Sequence, residues 1–295
     1  MKDENSEIDF SIVTASLNYG RFIEDCIRSV SCQERVTFEH IIVDGESTDE
    51  TTSILEKYPD LRCLREPDSG MSDAINKGFR MAKGRFVMWL NADDTLLPGS
   101  LKAVYDVFDQ EPDLDVVYGG WNFVSESGEV IREMTVIPFQ FRTLVYLGCY
   151  IGSTATFFRR ETTIGQGHLL NPEFHKVMDG EFYCRLASLG KKFGYLHAIL
   201  ATFRLHGENS SLRDVRPEGI DQHLRLEKQF AESRAIKRHY GWKLTGIPMI
   251  DTALDTPLFY LFLIRKALCK RGYRLLHKPK TITGAGGPDE VGRTR

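Results

Sequence analysis

The chain has no excess of charge of either sign: 38 Lys and Arg against 41 Asp and Glu, over 295 residues, leave a formal net charge of −3. A global electrostatic footprint for nucleic acid is therefore missing, and no nucleic-acid partner is expected. Long apolar runs are missing too, since none reaches the roughly 18 to 20 residues that a spanning helix needs. The six cysteines (Cys26, Cys32, Cys63, Cys149, Cys184 and Cys269) contain no CxxC pair and no zinc-ligand spacing. They read as reduced thiols of a cytoplasmic protein. The polar, acidic opening Met1-Lys2-Asp3-Glu4-Asn5 lacks the pattern of a secretory signal peptide. No internal repeat is present. What remains is an ordinary globular composition, 42% hydrophobic and 27% charged, sufficient for one large α/β domain plus an appendage.

The first ninety residues alternate strand and helix. Phe10 to Thr14 predicts a strand, and Phe22, Ile23, Cys26, Ile27 and Val30 recur at helical spacing after the loop Ala15 to Gly20. His40 to Val43 predicts a second strand, followed by Asp44-Gly45-Glu46-Ser47-Thr48-Asp49. Asp49 is a good N-cap for a helix from Glu50 to Lys57. A short strand at Leu61 to Leu64 leads into Glu66-Pro67-Asp68-Ser69-Gly70. Ser72 can cap the next helix, whose apolar face is Ala74, Ile75, Gly78, Phe79 and Ala82, with Gly84 ending it. The apolar run Phe86 to Leu90 then predicts a strand buried on both faces. This order implies parallel pairing with right-handed crossovers, a nucleotide-binding type of half.

Three acidic loops consequently share the carboxyl edge of the sheet: Asp44, Asp68, and Asn91-Ala92-Asp93-Asp94. Adjacent acids at a buried strand end repel each other unless a cation or hydrogen-bond donors offset the charge. On the residues alone, Asn91 to Asp94 fits either a site for a hard divalent cation or an Asx-turn leading to the helix after Pro98-Gly99-Ser100. Beyond Asp94 the pattern loosens. A helix is predicted at Ser100 to Phe108, a strand at Val116 to Tyr118, a hairpin turn at Ser125 to Gly128 and a strand at Gly152 to Phe158. Met178-Asp179-Gly180-Glu181 opens a helix closed by Gly190, and Tyr195 to Leu205 is a strand region. Such a middle suits a mixed sheet that builds the acceptor side of a cleft.

Five motifs in this order resemble glycosyltransferase family 2, whose members have the GT-A fold and transfer sugar from a nucleotide donor. They are Ser11 to Thr14 with Asn18-Tyr19, Ile42 to Asp49, Pro67 to Gly78, Asn91 to Asp94, and Asp179 to Ala187. The similarity runs from about Phe10 to Ser211. It implies a GT-A, Rossmann-like α/β domain over 1–215, with a mixed, mainly parallel sheet flanked by helices. A C-terminal helical extension over 216–280 and a disordered tail over 281–295 would follow.

The resemblance also implies roles. Thr14, Asn18, Asp44, Asp68, Asp73, Asn76, Asn91 and Asp94 would serve the nucleotide sugar. Within that set Asp44 would meet a base N–H, Asp68 and Asn76 the base or ribose, and Asp73 the ribose or a basic group. Asp93 would ligate Mn²⁺ or Mg²⁺ on the diphosphate, and Asp94 would support it or contact the donor sugar. Asn91, an amide where the family pattern has its first Asp, predicts weaker chelation and a hydrogen bond to a ribose hydroxyl. His206 would reach the metal or diphosphate; a surface loop histidine is the alternative. Asp179 would be the general base of an inverting transfer, which does not exclude its capping the helix, and Glu181 is the second candidate.

Two further expectations concern the C-terminal part. Ile220 to Tyr240 reads as a mixed-charge helix covering the domain, anchored by Leu224, Leu226 and Phe230. Pro257 to Ile264 beside Arg265-Lys266 and Lys270-Arg271 suits either an interfacial helix on an anionic membrane or a core helix with a basic exit. The interfacial reading, with peripheral contact at the inner membrane face through 257–280, fits a polyprenyl-linked or other glycan acceptor in bacterial surface polysaccharide assembly. Two other functions are consistent with parts of the pattern. A sugar nucleotidyltransferase would favour a Gly- and Arg/Lys-rich loop after the first strand, whereas Ala15 to Gly20 contains only Gly20. An inactive nucleotide- or sugar-binding module would need neither Asp93 nor Asp179.

Overall fold

The computed structural model describes residues 8–207 and 220–241, together with 261, 264, 267 and 268; over 220–227 it describes the backbone alone. The expected tail at 281–295, most of 242–280 and the end of the His206 motif at 208–211 lie outside the described residues.

Strands β1 (Phe10–Ser16), β2 (Phe38–Asp44), β3 (Arg62–Arg65) and β4 (Phe86–Trp89) form the parallel half of one mixed sheet, in the spatial order β3-β2-β1-β4. Helices α1 (Gly20–Ser31), α2 (Thr51–Leu55) and α3 (Met71–Met81) make the crossovers. Successive side chains on a strand face opposite sides, so β2 feeds two packing layers. Ile42 packs with Ile23 and Ile27 of α1 and Ile54 of α2, while Ile41 and Val43 join the main core with Ala74, Ile75 and Phe79 of α3. At β4 every side chain is buried, and Trp89 stacks on Phe158 with ring centroids 5.6 Å apart.

The second half is mixed. A two-residue strand β5 (Thr95–Leu96) and helix α4 (Ser100–Gln110) lead to β6 (Val116–Val124), which forms a hairpin with β7 (Val130–Met134). Helix α5 (Phe141–Leu147) precedes β8 (Thr156–Arg159), which runs antiparallel between β4 and β6. Helix α6 (Met178–Ser188) then leads to β9 (Phe193–Arg204), parallel to β6, and α7 (Ile220–Tyr240) follows. Because β6 and β9 pair in parallel, their C-terminal ends reach the same region as the acidic turn after β4.

Several local expectations are corrected. The helix after Asp68 begins at Met71 with Gly70 as its N-cap residue, and Ser72 lies inside it with its hydroxyl on the Met178 sulfur (3.1 Å). Helix α2 is shorter than expected, although Asp49 still accepts the Thr51 N–H (3.0 Å). Gly152 to Ala155 is not strand but a Gly followed by a 3-10 turn, so β8 starts only at Thr156. On α7, Phe230 is 50% exposed; the buried positions are Glu232 and Ile236, and the side chains of Leu224 and Leu226 lie outside the described residues.

Gly84 does not cap α3, which ends three residues earlier. A Cβ there would lie 2.6 Å from both the Phe10 carbonyl carbon and the Ser11 nitrogen, so the chain enters β4 by backbone-to-backbone approach. Gly84→Ala should therefore lower stability by about 1–3 kcal/mol, the range for overpacking a close contact. A shift of the urea midpoint at constant slope would measure it, and an unchanged midpoint would refute the steric account.

Candidate active site

The carboxyl ends of β1, β2 and β3 build one platform. Asn18 adopts a left-handed backbone (φ 59°), donates its N–H to the Ser47 hydroxyl (2.8 Å) and accepts the Thr48 N–H at Oδ1 (2.8 Å). Asp44 is buried; its carboxylate accepts the Ser47 N–H (3.0 Å) and hydroxyl, with Arg65 Nε 3.5 Å away. Asp68 accepts the Gly70 N–H (2.8 Å), and its other oxygen sits 2.7 Å from where a Cβ on Gly45 would be. A side chain at 45 would have to displace the Asp68 carboxylate, so glycine there favours the close meeting of the second and third loops. Asp73, in the first turn of α3, accepts the Ser69 N–H (3.0 Å), which holds its carboxyl below the ordinary value.

Two residues of the expected nucleotide set are committed elsewhere. Asn76 is buried and both ends of its amide bond the backbone of Leu170, as donor to the carbonyl and acceptor from the N–H (2.9 Å each). It ties α3 to the loop before α6. Thr14 is fully buried with its hydroxyl 2.9 Å from His40 Nε2, and burial pushes that imidazole down to about 3, so it stays neutral. These contacts are internal, which removes Asn76 and Thr14 as surfaces for a ligand.

The acidic turn after β4 separates its two carboxylates. Asp94 is 0% exposed and accepts Asn91 Nδ2 (2.8 Å) and the Arg204 N–H (3.0 Å). Burial first, and the adjacent Asp93 charge second, hold its carboxyl well above the usual range. Asp94 is thus a strut inside the fold, with Asn91 as its partner, and does not line the cavity described next. Asp93 does line it, and its Oδ2 lies 2.9 Å from His206 Nε2. His206 is itself buried against Phe22, with ring centroids 4.8 Å apart, and Tyr19 meets it edge-on. A surface loop histidine is therefore ruled out.

Arg204, which the sequence pattern did not single out, binds this region together. Besides its N–H on Asp94, its guanidinium reaches the Asp93 carbonyl (3.1 Å), the Glu126 carbonyl (2.7 Å) and the Asp25 carboxylate of α1 (2.8 Å). A basic residue ending the apolar run of β9, two before His206, was the available signal.

A cavity of about 310 Å³ joins Asp93 to Asp179. Tyr19, Trp121, Phe123 and Phe203 give it aromatic walls, and Lys176 and Ser153 add polar groups. Asp179 lies in the first turn of α6 and accepts the Gly180 N–H (2.8 Å), while the nearby Cys149 thiol donates to the Ile151 carbonyl (3.2 Å). It retains partial exposure toward the cavity while the rest of its surroundings are packed, and this burial raises its carboxyl above the ordinary value. Glu181 is different. Both of its oxygens are held by Arg185 (2.9 and 3.1 Å), the Tyr240 hydroxyl adds a third contact (3.3 Å), and it does not line the cavity. The ion pair accounts for Glu181, which leaves Asp179 as the carboxylate facing the cavity.

No group of three or more His, Cys, Asp or Glu side chains among the described residues could hold a metal unaided. Asp93 and His206 supply two donors, a carboxylate oxygen and an imidazole nitrogen. That set fits a cation completed by substrate phosphates and water, as Mg²⁺ commonly is, and does not fit an all-protein cage.

Comparison with known proteins bears on the family and the fold. Residues 11–168 match the model of "Glycosyl transferase family 2". A PGL/p-HBAD biosynthesis glycosyltransferase of Mycobacterium bovis BCG is 38% identical over 212 residues, covering 67% of this chain and 77% of that one. The chondroitin synthase of Escherichia coli is 25% identical over 243 residues, covering 80% of this chain but 34% of that protein. The chain thus spans about a third of that synthase. Among solved structures, S. aureus TarS 1–349 in complex with UDP-GlcNAc aligns with a TM-score of 0.59 at 18% identity, over 92% of this chain and 76% of that one. The mannosyltransferase PcManGT of Pyrobaculum calidifontis, in complex with GDP-Man and Mn²⁺, aligns with a TM-score of 0.53 at 15% identity, over 92% and 88%. At such identities the solved structures show a shared fold, the GT-A arrangement that the five motifs imply. With the family model matching more than half of its residues, the chain belongs to glycosyltransferase family 2.

Proposed function

We propose that the protein transfers a sugar from a nucleoside diphosphate donor to an acceptor hydroxyl, with inversion at the anomeric carbon and with the help of Mn²⁺ or Mg²⁺. The observation that carries this reading is that Asp93 and Asp179, from separate elements, line one cavity with aromatic walls. Asp179 accepts the proton of the acceptor hydroxyl as that oxygen attacks the anomeric carbon. The bond to the phosphate oxygen breaks, and its electron pair leaves with the nucleoside diphosphate. Attack by the acceptor oxygen on the face opposite the leaving group gives inversion. Asp93 and His206 would hold the metal, which when bound offsets the charge on the departing diphosphate.

Asn18, Asp44, Asp68 and Asp73 form the edge on which the nucleotide would lie, with Asn91 toward the ribose. That two proteins of the same fold bind UDP-GlcNAc or GDP-Man supports a nucleotide-sugar donor, and the Mn²⁺ of the second supports the metal. Trp121, Phe123 and Phe203 offer apolar faces of the kind on which sugar rings stack, consistent with a glycan acceptor. The names of the relatives, a chondroitin synthase and a PGL/p-HBAD biosynthesis glycosyltransferase among them, favour a role in polysaccharide or surface-glycan assembly.

Peripheral membrane contact is the remaining part of the reading. No helix among the described residues is long and apolar enough to cross a membrane. Leu261, Ile264 and Leu268 are helical and 56%, 59% and 64% exposed, and their spacing puts them on one face; Arg265, Lys266, Lys270 and Arg271 are near them in sequence only. An apolar stripe with basic residues close in sequence suits the surface of an anionic bilayer, where a polyprenyl-linked acceptor would be found.

Three experiments test these parts separately. Asp93→Ala should weaken Mn²⁺-dependent binding of UDP-GlcNAc or GDP-Man at least ~10-fold, about 1.4 kcal/mol, by calorimetry. Unchanged metal-dependent binding would sink the metal assignment. Asp179→Asn should cut turnover by about 10² to 10⁴-fold with donor affinity nearly unchanged, and normal turnover removes Asp179 as the base. The same variant has a stability signature. A carboxyl raised in the folded state favours folding at acid pH and loses that contribution as pH climbs through the raised value. The Asn variant should thus melt higher than the parent at neutral pH and converge with it in acid. For the same reason the acid limb of kcat/KM should sit above that of an ordinary aspartate, about 3.9. Finally, Leu261→Ser, Ile264→Ser and Leu268→Ser together should reduce sedimentation with phosphatidylglycerol vesicles, and undiminished partitioning argues against the interfacial helix.

A further inference from the structure

Helix α6 carries Asp179 but has no side-chain cap of its own: Val177 at its N-cap makes no such bond. The cap comes from 55 residues further along the chain. Glu232 of α7, 8% exposed, receives the N–H groups of His175 (3.2 Å), Lys176 (2.8 Å) and Val177 (3.2 Å) on its two carboxylate oxygens. Three successive N–H groups converging on one carboxylate form an anion nest, and the buried charge is offset by those donors together with the helix N-terminus. His175, Lys176, Met178 and Asp179, the residues spanned by this nest and the turn after it, all line the cavity.

Two more contacts fall on the same face of α7. Ile236 Cδ1 lies 3.9 Å from the position of a Cβ on Gly180, directly against the turn that bears Asp179. The Tyr240 hydroxyl donates to Glu181 (3.3 Å), and the Tyr240 carbonyl accepts from Arg142 of α5 (2.7 Å). Glu232, Ile236 and Tyr240 are spaced four apart, which is one stripe of a helix. Among the described side chains of α7 the buried ones are Glu232 and Ile236, both on this stripe.

We propose that Glu232 is a positioning residue for the reaction: it fixes the entry turn of α6 and so holds the Asp179 carboxylate at its place in the cavity. The proposal rests on Asp179 being the base. Without the carboxylate, three backbone N–H groups lose their acceptor and the first turn of α6 frays. Displacing a reacting group by about 1 Å costs on the order of 10²-fold in rate. The nucleotide edge, built from the loops after β1 to β3, does not touch α7 in any contact described above, so donor affinity should survive.

The test uses the full chain with Glu232→Ala and Glu232→Gln, following release of nucleoside diphosphate from UDP-GlcNAc and GDP-Man, donor binding by calorimetry, and amide hydrogen exchange. Glu232→Ala should lower kcat by about 10²-fold, leave donor Kd nearly unchanged, and speed exchange over residues 175–181 without affecting β1 to β4. Glu232→Gln, which keeps one acceptor oxygen, should fall between it and the parent. Parental kcat in a folded variant overturns the proposal. So does a parallel loss of donor affinity and of protection in β1 to β4, which would make α7 a general scaffold. Should Glu232→Ala fail to fold, Glu232→Gln decides: parental turnover and exchange overturn the proposal. Asp179→Asn serves as the control. If it turns over normally, the assignment of the base fails, and the exchange data alone then judge whether Glu232 holds α6.

Discussion

One arginine at the end of β9 holds the acidic turn of the candidate active site in place. Arg204 donates its N–H to Asp94 and its guanidinium to the Asp93 carbonyl, the Asp25 carboxylate of α1 and the Glu126 carbonyl of the β6–β7 hairpin. A buried guanidinium is tolerated only when its donors are met, and here each partner comes from a different element. The parallel half, the mixed half and the turn between them are thereby fixed to one another. Because His206 follows Arg204 by two residues, the same clamp delivers the imidazole to Asp93.

Around that clamp, neighbouring carboxylates are given separate tasks by their surroundings, as paired acids in enzyme sites often are. Asp94 is enclosed and bonded to protein donors, while Asp93 faces the cavity and the imidazole. In the first turn of α6 the division recurs. Glu181 is spent on Arg185 and Tyr240, while Asp179 faces the cavity with its carboxyl raised by burial. The repulsion that two adjacent acids would suffer is relieved by protein donors at Asp94. In the proposed reaction a cation would complete the relief at Asp93.

The C-terminal helix belongs to this arrangement and is more than a cover. Its stripe of Glu232, Ile236 and Tyr240 meets the first turn of α6, so a segment beyond the family-matched residues 11–168 touches the turn that bears the candidate base.

The sequence by itself determined the alternation of strand and helix through Trp89, the buried character of β4, and the gathering of the acidic loops at Asp44, Asp68 and Asp93-Asp94 at one sheet edge. These follow from local periodicity and from the handedness of parallel crossovers, both of which act over short stretches of chain. It also marked Asp179 and His206 through motif resemblance. Only the tertiary structure decided which polar side chains face inward. Thr14 is taken by His40, Asn76 by Leu170, Asp94 by Asn91 and Arg204, and Glu181 by Arg185; in three of these four the partner, or one of them, lies 26 to 110 residues away. Nothing in the spacing of a motif records such partners, because a hydrogen bond to a distant backbone group depends on where the fold brings that group. Glu232 was illegible for the same reason, one charged residue in a mixed-charge helix; for Arg204 the sequence offered only its place at the end of β9, two residues before His206, and its partners emerge only from packing.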